Sequence, residues 1–155
     1  MSKWQTNSLF IFSILLTIIS VGVIVDAQSL FQKSPEIQSP SDWIKEEQIK
    51  VYNDRVILNI KNSSWARFTN TNSMDPFLDE ESNAIEIIPV DPTEIQAGDI
   101  VSYKITEATI IHRVIERGED REGVYYILKG DNNSLKDPVK VRFNQITGVV
   151  VAVIY

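Results

Sequence analysis

TIIHRVIERGEDREGVYYILKG, residues 109–130, decides how the rest of the chain is read. Two runs rich in β-branched and aromatic residues, TIIHRVIE (109–116) and GVYYILKG (123–130), flank the charged GEDREG (118–123). That pattern predicts two antiparallel strands joined by a hairpin. Side chains alternate across a strand, so Ile111 and Arg113 belong to one face and His112, with Ile110 and Val114, to the other. The single histidine of the chain is thereby placed on a largely apolar surface.

The same signature recurs outward from this hairpin. RVILNI (55–60), WARFTN (65–70), AIEIIPV (84–90), DIVSYKI (99–105) and GVVVAVIY (148–155) are short apolar runs. They are separated by turn candidates at Asn62-Ser63, Asp91-Pro92, Gly98 and the segment from Asp131 to Pro138. The expected class is mainly β, a compact antiparallel domain over residues 42–155. Ser41-Asp42 ahead of WIKEEQIKVY predicts one or two helical turns at its entrance.

With 155 residues, no cysteine and a net charge of −6, the chain has one domain's worth of core and no thiolate chemistry. Lys3 and Asp26 cancel within the first 27 residues, so the negative charge belongs to residues 28–155. An acidic domain is a poor ligand for a phosphate backbone, and no nucleic-acid partner is expected. No phosphate-cradling glycine loop and no metal-ligand cluster stands out; no cofactor and no metal are expected.

Residues 9–25, LFIFSILLTIISVGVIV, carry no charge. As a helix this run would cover roughly 25 Å, the short end of a membrane span. Residues 1–27 are therefore read as an N-terminal single transmembrane anchor, with the N-terminus cytoplasmic and the domain after it on the outer face. The competing reading is a cleavable signal peptide ending at Ala27; the length of the run favours the anchor. Both export the remainder. Gln28 to Ser41, with two Ser-Pro steps, reads as a linker.

Within NTNSMDP (70–76), Ser73 comes after a strand-like run and precedes Pro76, which interrupts regular structure. Acyl transfer to water needs a nucleophile, a base, a group that orients the base and donors for an oxyanion. Ser73, His112, and Asp131 or Asp137 in GDNNSLKDP (130–138) supply the first three kinds of group. Each alone has an ordinary structural explanation: a turn serine, a packed histidine, two loop aspartates.

Together, and in this order, they resemble a known family. TNSMDP (71–76) resembles the Ser-Met-x-Pro box of type I signal peptidases. GDIVSY (98–103) is similar to the Gly-Asp box, IIHRVIE (110–116) to the box holding the general base, and LKGDNNSLKD (128–137) to the terminal box. A histidine in the base box is the pattern of the archaeal and endoplasmic-reticulum branch. The resemblance implies Ser73 as nucleophile and His112 as general base, and its last box places acidic residues at Asp131 and Asp137, leaving open which of them orients the histidine; Asp137 is the one favoured here. Asp131 would organise the loop or share that task. It also implies an oxyanion hole from the Ser73 backbone N–H and the Thr71 hydroxyl. The implied substrates are secretory preproteins cut after small-x-small leader sites, presented at the lipid bilayer. Gly98-Asp99 is read as a turn without a catalytic role, and FLDEESNAIEIIPVDPTEIQ (77–96) as an acidic insertion.

Two other classes compete. A self-cleaving regulator of the repressor-protease type would want a lysine base, for which Lys104 and Lys129 are the nearest candidates. A catalytically silent exported β domain would use the same surface for binding.

Overall fold

The computed structural model describes residues 36–155, and within them the compact unit runs from Ile37 to Tyr155. The apolar run 9–25 expected to form the anchor, and most of the expected linker, lie outside the described residues. No helix of the described residues is long and apolar enough to cross a membrane.

The unit is built from nine strands: β1 (Ile49–Val51), β2 (Val56–Leu58), β3 (Ser63–Arg67), β4 (Asn83–Ile87), β5 (Ile100–Ile105), β6 (Ala108–Asp120), β7 (Gly123–Lys129), β8 (Val141–Arg142) and β9 (Ile146–Ile154). β1 and β2 form a separate hairpin; the other seven make one antiparallel sheet in the order β3-β4-β9-β5-β6-β7-β8. The mainly β, antiparallel class expected from the sequence is the class observed.

The central hairpin pairs Asp120 with Gly123, so its turn is the two residues Arg121 and Glu122, and Gly123 takes a positive φ of 100° at the turn's exit. A second hairpin, Ile105 opposite Ala108, carries no glycine, proline or asparagine; Thr106 itself adopts φ 55°. The entrance also differs from expectation. Ser41 does not cap a helix: its backbone N–H donates to Asp99 Oδ1 at 2.6 Å, and helical backbone at the entrance is confined to the 3-10 turn Glu46–Gln48. At Gly98, φ 104° and a Ser39 carbonyl that a Cβ would strike leave room only for glycine.

The sheet packs on both faces. Ile95, Val101, Tyr103, Val114, Tyr126, Leu128, Val141, Ile146 and Val149 form one cluster, and Met74, Leu78, Ala84, Ile100 and Val150 the other. Val114 joins the first cluster with Ile110 packed against it, while Ile111 packs against the second. The alternation read from TIIHRVIE is therefore realised in space.

Candidate active site

A cleft of about 570 Å³ opens along the sheet. Ser73, Thr71 and Met74 contribute to its walls from the segment after β3, and Thr109, Ile110, Ile111 and His112 from β6. Ser73 does not end a strand. β3 stops at Arg67, and the serine lies beyond it in a turn closed by the Asp75 N–H donating to the Asn72 carbonyl at 3.4 Å, followed directly by the turn in which the Phe77 and Leu78 N–H groups donate to the Met74 carbonyl. The turn is held by Met74, whose side chain is buried against Leu78, Ala84, Ile100 and Val150. Burying a methionine beside the serine is how NTNSMDP fixes a polar turn to a core.

The loop 130–137 reaches both sides of the cleft. The Asn132 N–H donates to the Ser73 carbonyl at 3.0 Å, and Asn132 Nδ2 to the Asn72 carbonyl at 2.9 Å. Gly130 lies so close beneath that a Cβ there would collide with the Ser73 carbonyl oxygen. Asp137, whose N–H is tied to the Leu128 carbonyl at 2.8 Å, turns its carboxylate to His112. His112 Nδ1 lies 2.8 Å from Asp137 Oδ2 and 3.0 Å from Oδ1. A proton on Nδ1, donated to this carboxylate, leaves the lone pair on Nε2. His112 is buried, and it is paired across the ladder with Val101 of β5.

Asp131 is engaged elsewhere. It accepts a bidentate pair from Arg113, Nε at 2.8 Å and Nη2 at 2.7 Å, with both side chains about nine-tenths buried. The same guanidinium donates to the Gly98 carbonyl at 2.8 Å and to the Gln38 carbonyl at 3.3 Å. Of the two readings left open for Asp131, the geometry matches the organising one, while contact with the imidazole falls to Asp137. Asp99 is fully buried and accepts from the N–H groups of Ser41 and Gln96, a turn-building role away from the cleft.

Thr71 Oγ1 and Ser73 Oγ lie 3.2 Å apart, so the hydroxyl expected to serve an oxyanion is already beside the serine. No hydrogen bond joins Ser73 to His112 in this arrangement; both line the same cleft. Neither Lys104 nor Lys129 lines it.

Tyr103 does not stand out in the sequence, yet its hydroxyl donates to Asp137 Oδ2 at 2.7 Å, and its ring centroid lies 6.4 Å from that of His112. Burial first, then the bonded carboxylate, pushes the phenol above its ordinary range and keeps it a donor. An aromatic in a strand is ordinarily core packing, so only the position of its hydroxyl reveals the contact. Glu86 of β4 is likewise unforeseen on the lining: it is buried, and its Oε1 is bonded to Ser102 Oγ at 2.5 Å.

No family model matches the chain. An uncharacterized protein of Methanocaldococcus jannaschii is 47 % identical to it over 60 residues, which is 34 % of this chain and 30 % of the relative. The chain thus covers about a third of the length of the relative it matches.

Proposed function

We propose that this protein is a membrane-anchored serine endopeptidase of the signal peptidase type, cutting leaders from exported preproteins after small residues. The observation that carries the reading is the His112–Asp137 pair on one wall of a cleft whose other wall presents Ser73 beside Thr71. Support for the setting comes from the uncharged run 9–25, read as a single span that holds the domain on the outer face of the membrane.

In this mechanism an extended substrate lies along the cleft. Ser73 Oγ exchanges its Thr71 partner for His112 Nε2 and attacks the scissile carbonyl as its proton passes to Nε2. Asp137 holds the ring and stabilises the imidazolium through Nδ1–H. The carbonyl oxygen, now an alkoxide, is met by the Ser73 N–H and the freed Thr71 hydroxyl. Collapse of the tetrahedral intermediate breaks the C–N bond, and the amine of the mature chain leaves with the proton from Nε2. Water then attacks the acyl-serine, gives its proton to the same nitrogen, and releases the leader carboxylate as Ser73 regains its hydrogen. Apolar lining from Ala66, Phe68, Ile110 and Ile111 suits small side chains on the leader side of the bond.

The test is cleavage of a preprotein with a small-x-small leader site by the full-length protein in detergent or lipid, with Ser73→Ala alongside. Cleavage at the leader junction by wild type alone is the expected result. Equal processing by the Ser73→Ala protein would overturn the reading.

A further inference from the structure

One buried acid on the cleft lining takes no part in the peptidase mechanism. Glu86 is 6 % exposed and Ser102 5 %, and both line the same cleft as Ser73 and His112. Glu86 belongs to β4 and Ser102 to β5, with β9 between them. The carboxyl spans that gap because the residue of β9 opposite Ser102 is Gly148. A Cβ on Gly148 would lie 2.6 Å from Glu86 Oε2 and 3.0 Å from its Cβ. A side chain at position 148 would close the crossing.

Only one oxygen of this carboxyl is used. Oε1 is bonded to Ser102 Oγ, while Oε2 has no hydrogen-bond partner among the described residues. Thr147 lines the same region and commits its hydroxyl to the Ser102 carbonyl at 3.2 Å. That nearby donor is thus committed elsewhere, and Oε2 stays available. An acceptor held in a mostly desolvated place gains most when a donor arrives and loses when an apolar group takes the position. Burial raises the Glu86 carboxyl from its ordinary value, against the lowering effect of the Ser102 hydroxyl. The cleft volume of about 570 Å³ also exceeds what two small side chains fill.

We propose that Glu86, held by Ser102 over Gly148, forms a specificity subsite that accepts a hydrogen bond from a hydroxyl-, amide- or amine-bearing side chain of the leader. This rests on the peptidase reading and adds to it a polar requirement at one leader position, separate from the two small residues ahead of the cut. A site built to hydrogen-bond its substrate rejects the apolar isostere more strongly than an apolar pocket rejects an added hydroxyl.

The experiment uses the full-length protein in detergent and a series of leader peptides. Each position ahead of the cut is occupied in turn by one member of an isosteric pair, Thr against Val or Asn against Leu. Wild type is expected to favour the donor at one position by about tenfold in kcat/KM. Glu86→Leu abolishes or reverses that preference while still cleaving the apolar member. Glu86→Gln, of nearly equal size, keeps the fold and reduces the preference several-fold. Wild type that cleaves every pair equally at all positions overturns the subsite and leaves the peptidase reading standing. A preference that persists unchanged in Glu86→Gln and Glu86→Leu also overturns it. Folded wild type that cleaves no peptide and no preprotein overturns both.

Discussion

The carbonyl oxygen of Ser73 accepts the backbone N–H of Asn132 at 3.0 Å, so the turn holding the serine is bonded to the loop that also supplies Asp137. Asn132 repeats the grip with its side chain on Asn72, and Gly130 lets the two backbones approach. One loop therefore sets the position of the serine and, through Asp137, of the imidazole.

Gly130→Ala is the sharpest probe of that coupling. Its methyl group meets the backbone oxygen of Ser73, which has no flexible end to move aside. Displacing a nucleophile by about 1 Å costs on the order of 100-fold in rate. We expect cleavage to fall by roughly that factor in kcat, with a circular dichroism spectrum like wild type. Wild-type kcat in the alanine variant would show that the loop does not position Ser73.

The two loop aspartates predict opposite phenotypes. On the peptidase reading, Asp137→Asn keeps the size of the side chain but would no longer stabilise an imidazolium, and the expected loss in kcat, by analogy with other triads, is about 10⁴-fold, with little change in urea midpoint. Asp131→Ala leaves the buried Arg113 guanidinium without its carboxylate, which costs about 3 kcal/mol of stability. Parallel denaturation and kinetics on the two variants separate the roles. A stable, inactive Asp131→Ala beside an unstable, active Asp137→Asn would reverse the assignment.

Tyr103→Phe removes the hydroxyl that donates to Asp137 and leaves the ring in the core. Loss of one bond to a charged group is worth about 1.5–3 kcal/mol where it is fully felt. We expect kcat to drop by about tenfold with KM nearly unchanged. A change in KM alone would instead mark Tyr103 as part of the substrate surface.

Glu86 gives a stability signature that varies with pH. Burial raises its folded value above the ordinary 4.5, so above that pH the native state binds more protons at this group than the unfolded chain does. Stability must therefore fall as pH rises from the ordinary value through the raised one, and the penalty is absent below it. Glu86→Gln has no such penalty. Its urea midpoint should gain on wild type as pH rises above the ordinary 4.5, and a difference that stays constant with pH would contradict the raised value.

The strands were legible where apolar alternation and turn chemistry agreed, as in 109–130, and less so where polar residues entered the sheet. β3 begins at Ser63 and Ser64, ahead of the run that suggested it, because these residues pair with Ile87 and Glu86 across the ladder. The short β1 escaped notice, having only three residues, all exposed. So did the turn at Thr106-Glu107, which uses a threonine at φ 55° where glycine or asparagine is usual. Within the 77–96 stretch the run AIEIIPV was legible as a strand, and β4 forms there, but that this strand buries Glu86 was not.

By itself the sequence determined the β class and the alternation that separates His112 from Ile111 and Arg113. These come from local pattern, because strand periodicity and turn chemistry act over a few neighbouring residues. The candidates Ser73, His112, Asp131 and Asp137 stood out as a set, and Thr71 at all, only through the resemblance to type I signal peptidases. Only the tertiary structure decided that Asp137 meets His112 while Asp131 meets Arg113, since adjacent residues of β6 point to opposite faces and each finds a different aspartate of one loop. It alone revealed Tyr103 behind Asp137 and Glu86 crossing Gly148 to reach Ser102. Those contacts join residues far apart in the chain, through strand order and register that no local pattern encodes.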